Sequence, residues 1–124
     1  MSTQTRSFEI SKTASEDLSS KQFHIVQMDA SGDAEAGEGA TDLIIGVLQN
    51  KPESGQEAHV RFMGTSKVKT GGVVGVGAWV TATTNGTGVA TTTDGDIVIG
   101  RALVGGASGD IIEVQLGIQH LFIA

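Results

Sequence analysis

The sequence predicts an all-β fold, in which two similar β-units form one small barrel-like domain behind an extended N-terminal arm. Val, Ile and Thr make up 35 of the 124 residues, whereas Leu occurs only six times. These β-branched side chains favour strands, and the 18 glycines permit the positive φ angles of tight turns. The mass of 12.7 kDa is that of one domain with one hydrophobic core.

Residues 1–20 are mostly polar, and their only large apolar residues are Phe8, Ile10 and Leu18. This is too little apolar surface to anchor an independent element, so we expect an arm that is flexible in the free protein. Phe8 and Ile10 alternate with polar residues, which is typical of a strand that can add to another surface. The β-domain is then expected to span residues 21–124.

The rest of the chain alternates between apolar runs and turn residues. The turns are marked by Asp29–Gly32, Lys51–Gly55, Asn85-Gly86 and Asp94-Gly95. No segment after residue 20 has helical periodicity. The predicted strands are Phe23–Met28, Leu43–Leu48, Ala58–Phe62, Ala78–Thr84, Gly88–Thr92, Ile97–Val104, Ile111–Leu116 and Ile118–Ile123.

The chain also resembles itself at an offset of 54 residues, which aligns residues 21–62 with residues 75–116. Neither unit is large enough to bury a sheet face alone, so we expect the two to pack around one shared core. The identical pairs are Val26/Val80, Gly32/Gly86, Ala36/Ala90, Asp42/Asp96, Ile45/Ile99, Gly46/Gly100, Ser54/Ser108, Gly55/Gly109 and Val60/Val114.

The net charge of −6 disfavours a nucleic-acid partner. The acidic excess lies in residues 22–57, a stretch that repels phosphate. We interpret this stretch as a solvated acidic loop region rather than a calcium site. No run of about 18 apolar residues is present, so we expect no membrane partner and no secretion signal.

Few residues suggest catalysis or cofactor binding. The chain has no Cys, and His24, His59 and His120 lack the spacing of a metal site. The run Gly71–Gly77 lacks the Gly-Lys-Ser/Thr ending of a phosphate loop, so it is interpreted as a turn. Trp79 is interpreted as a buried strand aromatic, with an interface anchor as the alternative. We therefore expect no catalytic residue, no metal and no cofactor.

Several segments, taken in order, resemble the capsid cement (head decoration) proteins of tailed phages. The similarity begins with Ala14-Ser15-Glu16-Asp17-Leu18-Ser19-Ser20-Lys21-Gln22-Phe23-His24-Ile25-Val26. It continues through Ile45-Gly46-Val47-Leu48-Gln49-Asn50-Lys51-Pro52 and Gly55-Gln56-Glu57-Ala58-His59-Val60-Arg61. It ends with Ile99-Gly100-Arg101-Ala102-Leu103 and Gly109-Asp110-Ile111-Ile112-Glu113-Val114, and so spans about residues 13–116.

The resemblance implies a small single-domain β-barrel or β-tulip-like fold that binds the outside of an assembled phage head. Such a protein is made in the host cytoplasm, joins the virion, and stabilises contacts between major capsid subunits, often as a homotrimer. It is not an enzyme. Since related proteins commonly contact the capsid through an N-terminal arm, the hypothesis is that Phe8 and Ile10 dock on a capsid strand while Arg6 and Lys12 pair with capsid acids.

The apolar tail Leu121, Phe122 and Ile123 has two interpretations, a subunit contact or a final core strand. Two other classes of function also remain open. The first is a phage tail or surface β-module that binds a glycan or another protein, although a chain with five aromatic residues and no Tyr offers few stacking surfaces. The second is a small barrel enzyme, for which no cluster of titratable residues is evident.

Overall fold

The structure, a computed structural model, describes residues 7–40 and 43–120, with the backbone alone for His120. The described residues form nine strands and no helix. The strands are β1 (Phe8–Thr13), β2 (Ile25–Met28), β3 (Ala34–Ala36), β4 (Ile44–Leu48), β5 (Glu57–Lys69), β6 (Trp79–Ala82), β7 (Gly88–Thr91), β8 (Ile97–Ala102) and β9 (Ile111–His120).

These strands form one antiparallel sheet, in the order β3-β2-β4-β5-β9-β8-β6-β7, with β1 paired to β5 outside this order. The sheet curls into a half-barrel, which confirms the predicted all-β, barrel-like class. One strand was not predicted. The three residues of β3, Ala-Glu-Ala, have low β-propensity, and they form a strand because they pair with β2.

The sequence repeat is also a structural repeat. At the offset of 54 residues, β2 corresponds to β6, β3 to β7 and β4 to β8, and the first half of β5 corresponds to β9. We call β1–β4 with the first half of β5 unit 1, and the second half of β5 with β6–β9 unit 2. Residues that occupy the same place in the two units are called counterparts.

The strand β1 is part of this repeat, although its offset is 56 residues rather than 54. It pairs with the first half of β5 as the second half of β5 pairs with β9. After β1, Ala14 forms a parallel bridge to Ala34, just as Thr70 does to Gly88. Since Leu18 and Val74 also donate matching backbone hydrogen bonds of 2.9 Å, the residues from Phe8 to Leu18 complete unit 1.

The described part of the expected arm therefore lies against the sheet. Ala14 and Leu18 are fully buried among unit 1 residues. The small number of apolar residues led us to expect a segment with few contacts to the domain. One Leu and one Ala are nevertheless enough to fill the gap between β3 and the turn before β5. A domain boundary at residue 20 and the mobility of residues 1–20 stay predictions.

The apolar core differs from the single shared core that the sequence predicted, because it forms two clusters. The smaller cluster belongs to unit 1 alone and is centred on Leu18, Val26 and Val60. The larger cluster contains the core of unit 2, and Ile25, Ile44 and Val47 of unit 1 also pack into it. The physical reason is that β2 and β4 are buried on both faces, so that unit 1 covers its own core with one face and contacts unit 2 with the other.

Gly46 and Gly100 lie where neighbouring strands approach most closely. Both have φ of +151°, and the pairing register shifts beside each of them. A Cβ on Gly46 would overlap the carbonyl oxygen of Arg61, and one on Gly100 would overlap that of Gln115. Arg61 and Gln115 are themselves counterparts, so the same close approach occurs in both units.

We predict that Gly46→Ala and Gly100→Ala each lower the free energy of unfolding by roughly 3 kcal/mol or more, since each combines a positive φ with a backbone clash. Denaturant titration of the purified variants measures this. Gly117→Ala is the matched control, because its Cβ would meet nothing within 4 Å and its φ is not positive. A loss below 1 kcal/mol at both positions would contradict the predicted clash.

Candidate functional site

Three exposed apolar side chains lie together where β1 meets β5. Phe8, Ile10 and Met63 are each between 37% and 54% exposed, and Phe8 is the residue opposite Met63 in the sheet. The Phe8 ring also contacts Phe62, with 6.3 Å between ring centroids. In the described part of the chain, β1 pairs with β5 alone, so its other edge is open to a further strand.

An ion pair fixes β1 to β5 on this surface. Arg61 donates two hydrogen bonds to one carboxylate oxygen of Glu9, at 2.7 and 3.1 Å. The same guanidinium donates to the carbonyl of Thr65 over 2.9 Å, so it spans both halves of β5. Because the pair is partly exposed, it orients β1 more than it stabilises the fold.

A second apolar surface was not predicted from the sequence. Val73, Val76, Leu103 and Val104, which we call the apolar end, are between 46% and 78% exposed. Their two loops are joined by reciprocal backbone hydrogen bonds of 2.9 Å between Val74 and Gly106. The Gly71–Gly77 segment is thus a connection between strands, as predicted, but one that presents valines to solvent.

The counterpart of the apolar end in unit 1 is polar. The matching loops there carry Asp17 in place of Val73, and Gln49 and Asn50 in place of Leu103 and Val104. The backbone contacts of the two ends are alike, since Leu18 donates to the Pro52 carbonyl as Val74 does to that of Gly106. The apolar end therefore differs from its counterpart in its exposed side chains and not in its backbone contacts.

A third surface surrounds Trp79. The sequence favoured a buried aromatic, but the indole is only partly buried, and the Arg101 guanidinium lies 5.0 Å from its ring centre. Arg101 also donates to the Gly77 carbonyl over 3.3 Å. Beside this pair lies an open cavity of about 210 Å³, whose other lining residues include Gln115, Gly117 and Gln119.

His24 is the buried histidine among the described side chains. Burial lowers its pKa, and the nearby charges of Lys21 and Lys69 lower it further, against the opposing effect of the Gln22 carbonyl. His24 lies where unit 2 packs on unit 1, because a Cβ on Gly86 would come within 3.5 Å of the His24 Cβ. His59 is exposed on a strand, as predicted.

Among the described residues, no three His, Asp or Glu side chains are placed to hold a metal ion. The same part of the chain contains no helix long and apolar enough to cross a membrane. Of the predicted contact residues, Phe8 and Ile10 are brought together at the exposed edge, and Lys12 is half-buried on the same strand. Arg6, Leu121, Phe122 and Ile123 lie outside the described residues.

The family model for phage cement proteins matches residues 1–117, which is nearly the whole chain. This chain belongs to the phage cement protein family. No curated protein sequence matches it. Among solved structures, the N base of head fiber gp8.5 in bacteriophage phi29 is similar in fold, with a TM-score of 0.67 at 16% identity over 94% of this chain and 98% of that one.

The family confirms the resemblance seen in the sequence, and it makes this cement protein a structural protein of the phage head. No catalytic role is known for such a family.

We predict that acidification destabilises the cement protein partly through His24. Since burial lowers the folded-state pKa, the unfolded chain binds the proton more readily once the pH falls below the ordinary His value of about 6.5. The contribution of His24 is complete above that pH and is lost below it. Denaturant titration between pH 7.5 and 5 should give a smaller loss of unfolding free energy for His24→Gln than for the parent. Equal slopes for His24→Gln and the parent would refute the role of His24.

Proposed function

We propose that this cement protein binds the outer surface of the assembled phage head, where it stabilises contacts between major capsid subunits. It does so as a homotrimer, after synthesis in the host cytoplasm. The observation that carries the proposal is the open edge of β1, which presents Phe8 and Ile10 beside Met63 on a protein of this family.

An open strand edge suits a capsid partner, because backbone hydrogen bonds to an added strand provide affinity while exposed side chains provide specificity. Phe8 and Ile10 would dock on a strand edge or groove of the capsid protein. Arg6 and Lys12 would pair with capsid acids at the rim of that contact. The tail residues Leu121, Phe122 and Ile123 would contribute to the contact between copies.

The arrangement also explains how a modest contact suffices. Each head carries many symmetric copies, and each copy of a trimer is held to its neighbours, so weak contacts act together. The Glu9–Arg61 pair keeps β1 aligned before binding, which lowers the entropy that is lost when the contact forms.

We predict that the double substitution Phe8→Ala and Ile10→Ala lowers occupancy on purified undecorated heads at least tenfold, because two exposed apolar anchors are lost. Substitution is sharper than deletion of residues 2–12, which would also remove β1 and expose β5. Occupancy is measured as the ratio of bound protein to capsid protein, with imaging of the decorated heads.

Ile111→Ala is the matched control, since Ile111 is exposed to a similar degree but pairs with Lys69 at the end of β5 that β1 does not reach. Val73→Ala with Val76→Ala tests the apolar end in the same assay. Parent-level occupancy for the Phe8 and Ile10 variant would refute the role of the β1 edge. If the parent itself adds no density to the heads, capsid binding is refuted.

A further inference from the structure

A cavity of about 290 Å³ lies at the junction of the two units. Unit 1 forms one side with the connection between β1 and β2, including Ser20 and His24, and adds Lys51 from the turn before β5. Unit 2 forms the other side with Lys69, in the second half of β5, and with Ile111, which pairs with it. A ligand in this cavity would therefore contact both units.

The side of the cavity that unit 1 forms has no counterpart in unit 2. Six residues separate Leu18 from β2, whereas four separate Val74 from β6. The longer connection contains Phe23, whose φ of +66° is a left-handed conformation that a bulky side chain rarely adopts. The Phe23 carbonyl accepts a hydrogen bond of 2.9 Å from the Lys69 N–H, which fixes the connection to unit 2. Backbone strain of this kind is concentrated at functional sites.

The cavity is basic, although the protein is acidic. Lys51 and Lys69 both line it, and no Asp or Glu of the described residues does. Neither lysine forms an ion pair within the part of the chain that the structure describes. The nearby Asp17 carboxylate instead accepts a hydrogen bond of 3.0 Å from the Ser19 N–H. Two lysines without a carboxylate partner thus line one cavity of a protein whose net charge is −6.

His24 is the buried polar side chain of this cavity, with only 9% of its surface exposed. Its Nδ1 lies 3.3 Å from the Gln22 carbonyl, which holds the ring in place. Burial lowers the pKa of His24, and the charges of Lys21 and Lys69 lower it further, against the opposing effect of the Gln22 and Lys21 carbonyls. The ring therefore lies in a positive local potential.

We propose that this cavity binds inorganic phosphate between Lys51 and Lys69, and that the bound anion links the two units. The two ammonium groups balance both charges of a phosphate dianion, whereas a single carboxylate would leave one lysine without a partner. Lysine binds phosphate as a compact point charge, and the Ser20 hydroxyl adds a neutral donor. The cavity is larger than the anion, so water completes its hydrogen bonds. This site goes beyond the proposed function, since it lies apart from the open edge of β1.

Titration of the isotope-labelled protein with inorganic phosphate at pH 7.5 tests the site by nuclear magnetic resonance. Sodium chloride keeps the ionic strength constant, and the amide resonances of residues 19–24 and 69 should follow one saturable curve. Lys51→Gln and Lys69→Gln should each weaken binding about tenfold or more, because one of the two balancing charges is lost. Arg101→Gln, which removes an exposed positive charge outside this cavity, is the matched control and should keep the parent dissociation constant.

Thermal unfolding of each variant verifies that it folds. Resonance shifts that never saturate, or an equal loss of affinity in Arg101→Gln and Lys69→Gln, would overturn the site. Acetate that binds as tightly as phosphate would overturn its assignment to a dianion. The experiment uses the free protein without phage heads, so none of these results depends on capsid binding.

The His24 ring provides a second readout of an anion in the cavity. The charged side chains of the surrounding elements are Lys21, Lys51, Lys67 and Lys69, with Glu113 opposite Lys67 and Asp17 at the start of the connection. Sulfate replaces phosphate here, because it stays a dianion over the whole pH range. A bound dianion favours the imidazolium, so sulfate should raise the pKa of His24 by about 0.5 or more. The increase should be lost in Lys51→Gln, and an unchanged His24 pKa in the parent would contradict the location of the site.

Discussion

The strand β5 is the constraint on which the rest of the fold depends, because it belongs to both units. Its first half is the last strand of unit 1, with β4 on one side and β1 on the other. Its second half is the first strand of unit 2 and pairs with β9. The two halves of β5 meet at Met63, with which Phe8 of β1 and Gly117 of β9 both pair. Neither unit can change register without the other, since a shift of one residue in β5 would invert the buried faces of both.

This shared strand also explains which parts of the fold could be predicted. The turns and most strands could be predicted from the sequence. Gly marks positions with positive φ, alternating apolar residues mark strands with one buried face, and both signals are local. The repeat was visible from residue 21 onward, since turn and strand lengths match there. The strand β1 was not recognised as part of the repeat, because six residues separate Leu18 from Ile25 where four separate Val74 from Trp79. The longer connection contains Phe23 at φ of +66°, a conformation that no propensity predicts.

The core shows why sequence identity alone understates the likeness of the two units. Leu48 and Ala58 fill the core of unit 1, and their counterparts in unit 2 are Ala102 and Ile112. The larger side chain has moved from one strand to its neighbour, so the summed volume is almost kept. Exchanges of this kind are tolerated when packing is conserved as a whole, although each position considered singly looks unrelated. Alternation in β1 already indicated Phe8 and Ile10, but the apolar end could not be found in this way, because its exposure depends on which loops meet.

Differences between counterparts are informative where the backbone is the same. The loops at the apolar end and at its polar counterpart make matching backbone contacts, and yet one presents Val73 and Leu103 to solvent where the other presents Asp17 and Gln49. Folding of the single chain requires neither the apolar nor the polar side chains at these positions. Val73 and Leu103 are exposed, so they contribute little burial free energy, and they add a patch that favours association. The same holds for Ile25, which is covered, and Trp79, which is not. The fold therefore accounts for what the units share, whereas the exposed side chains on which they differ are not determined by the backbone that they have in common.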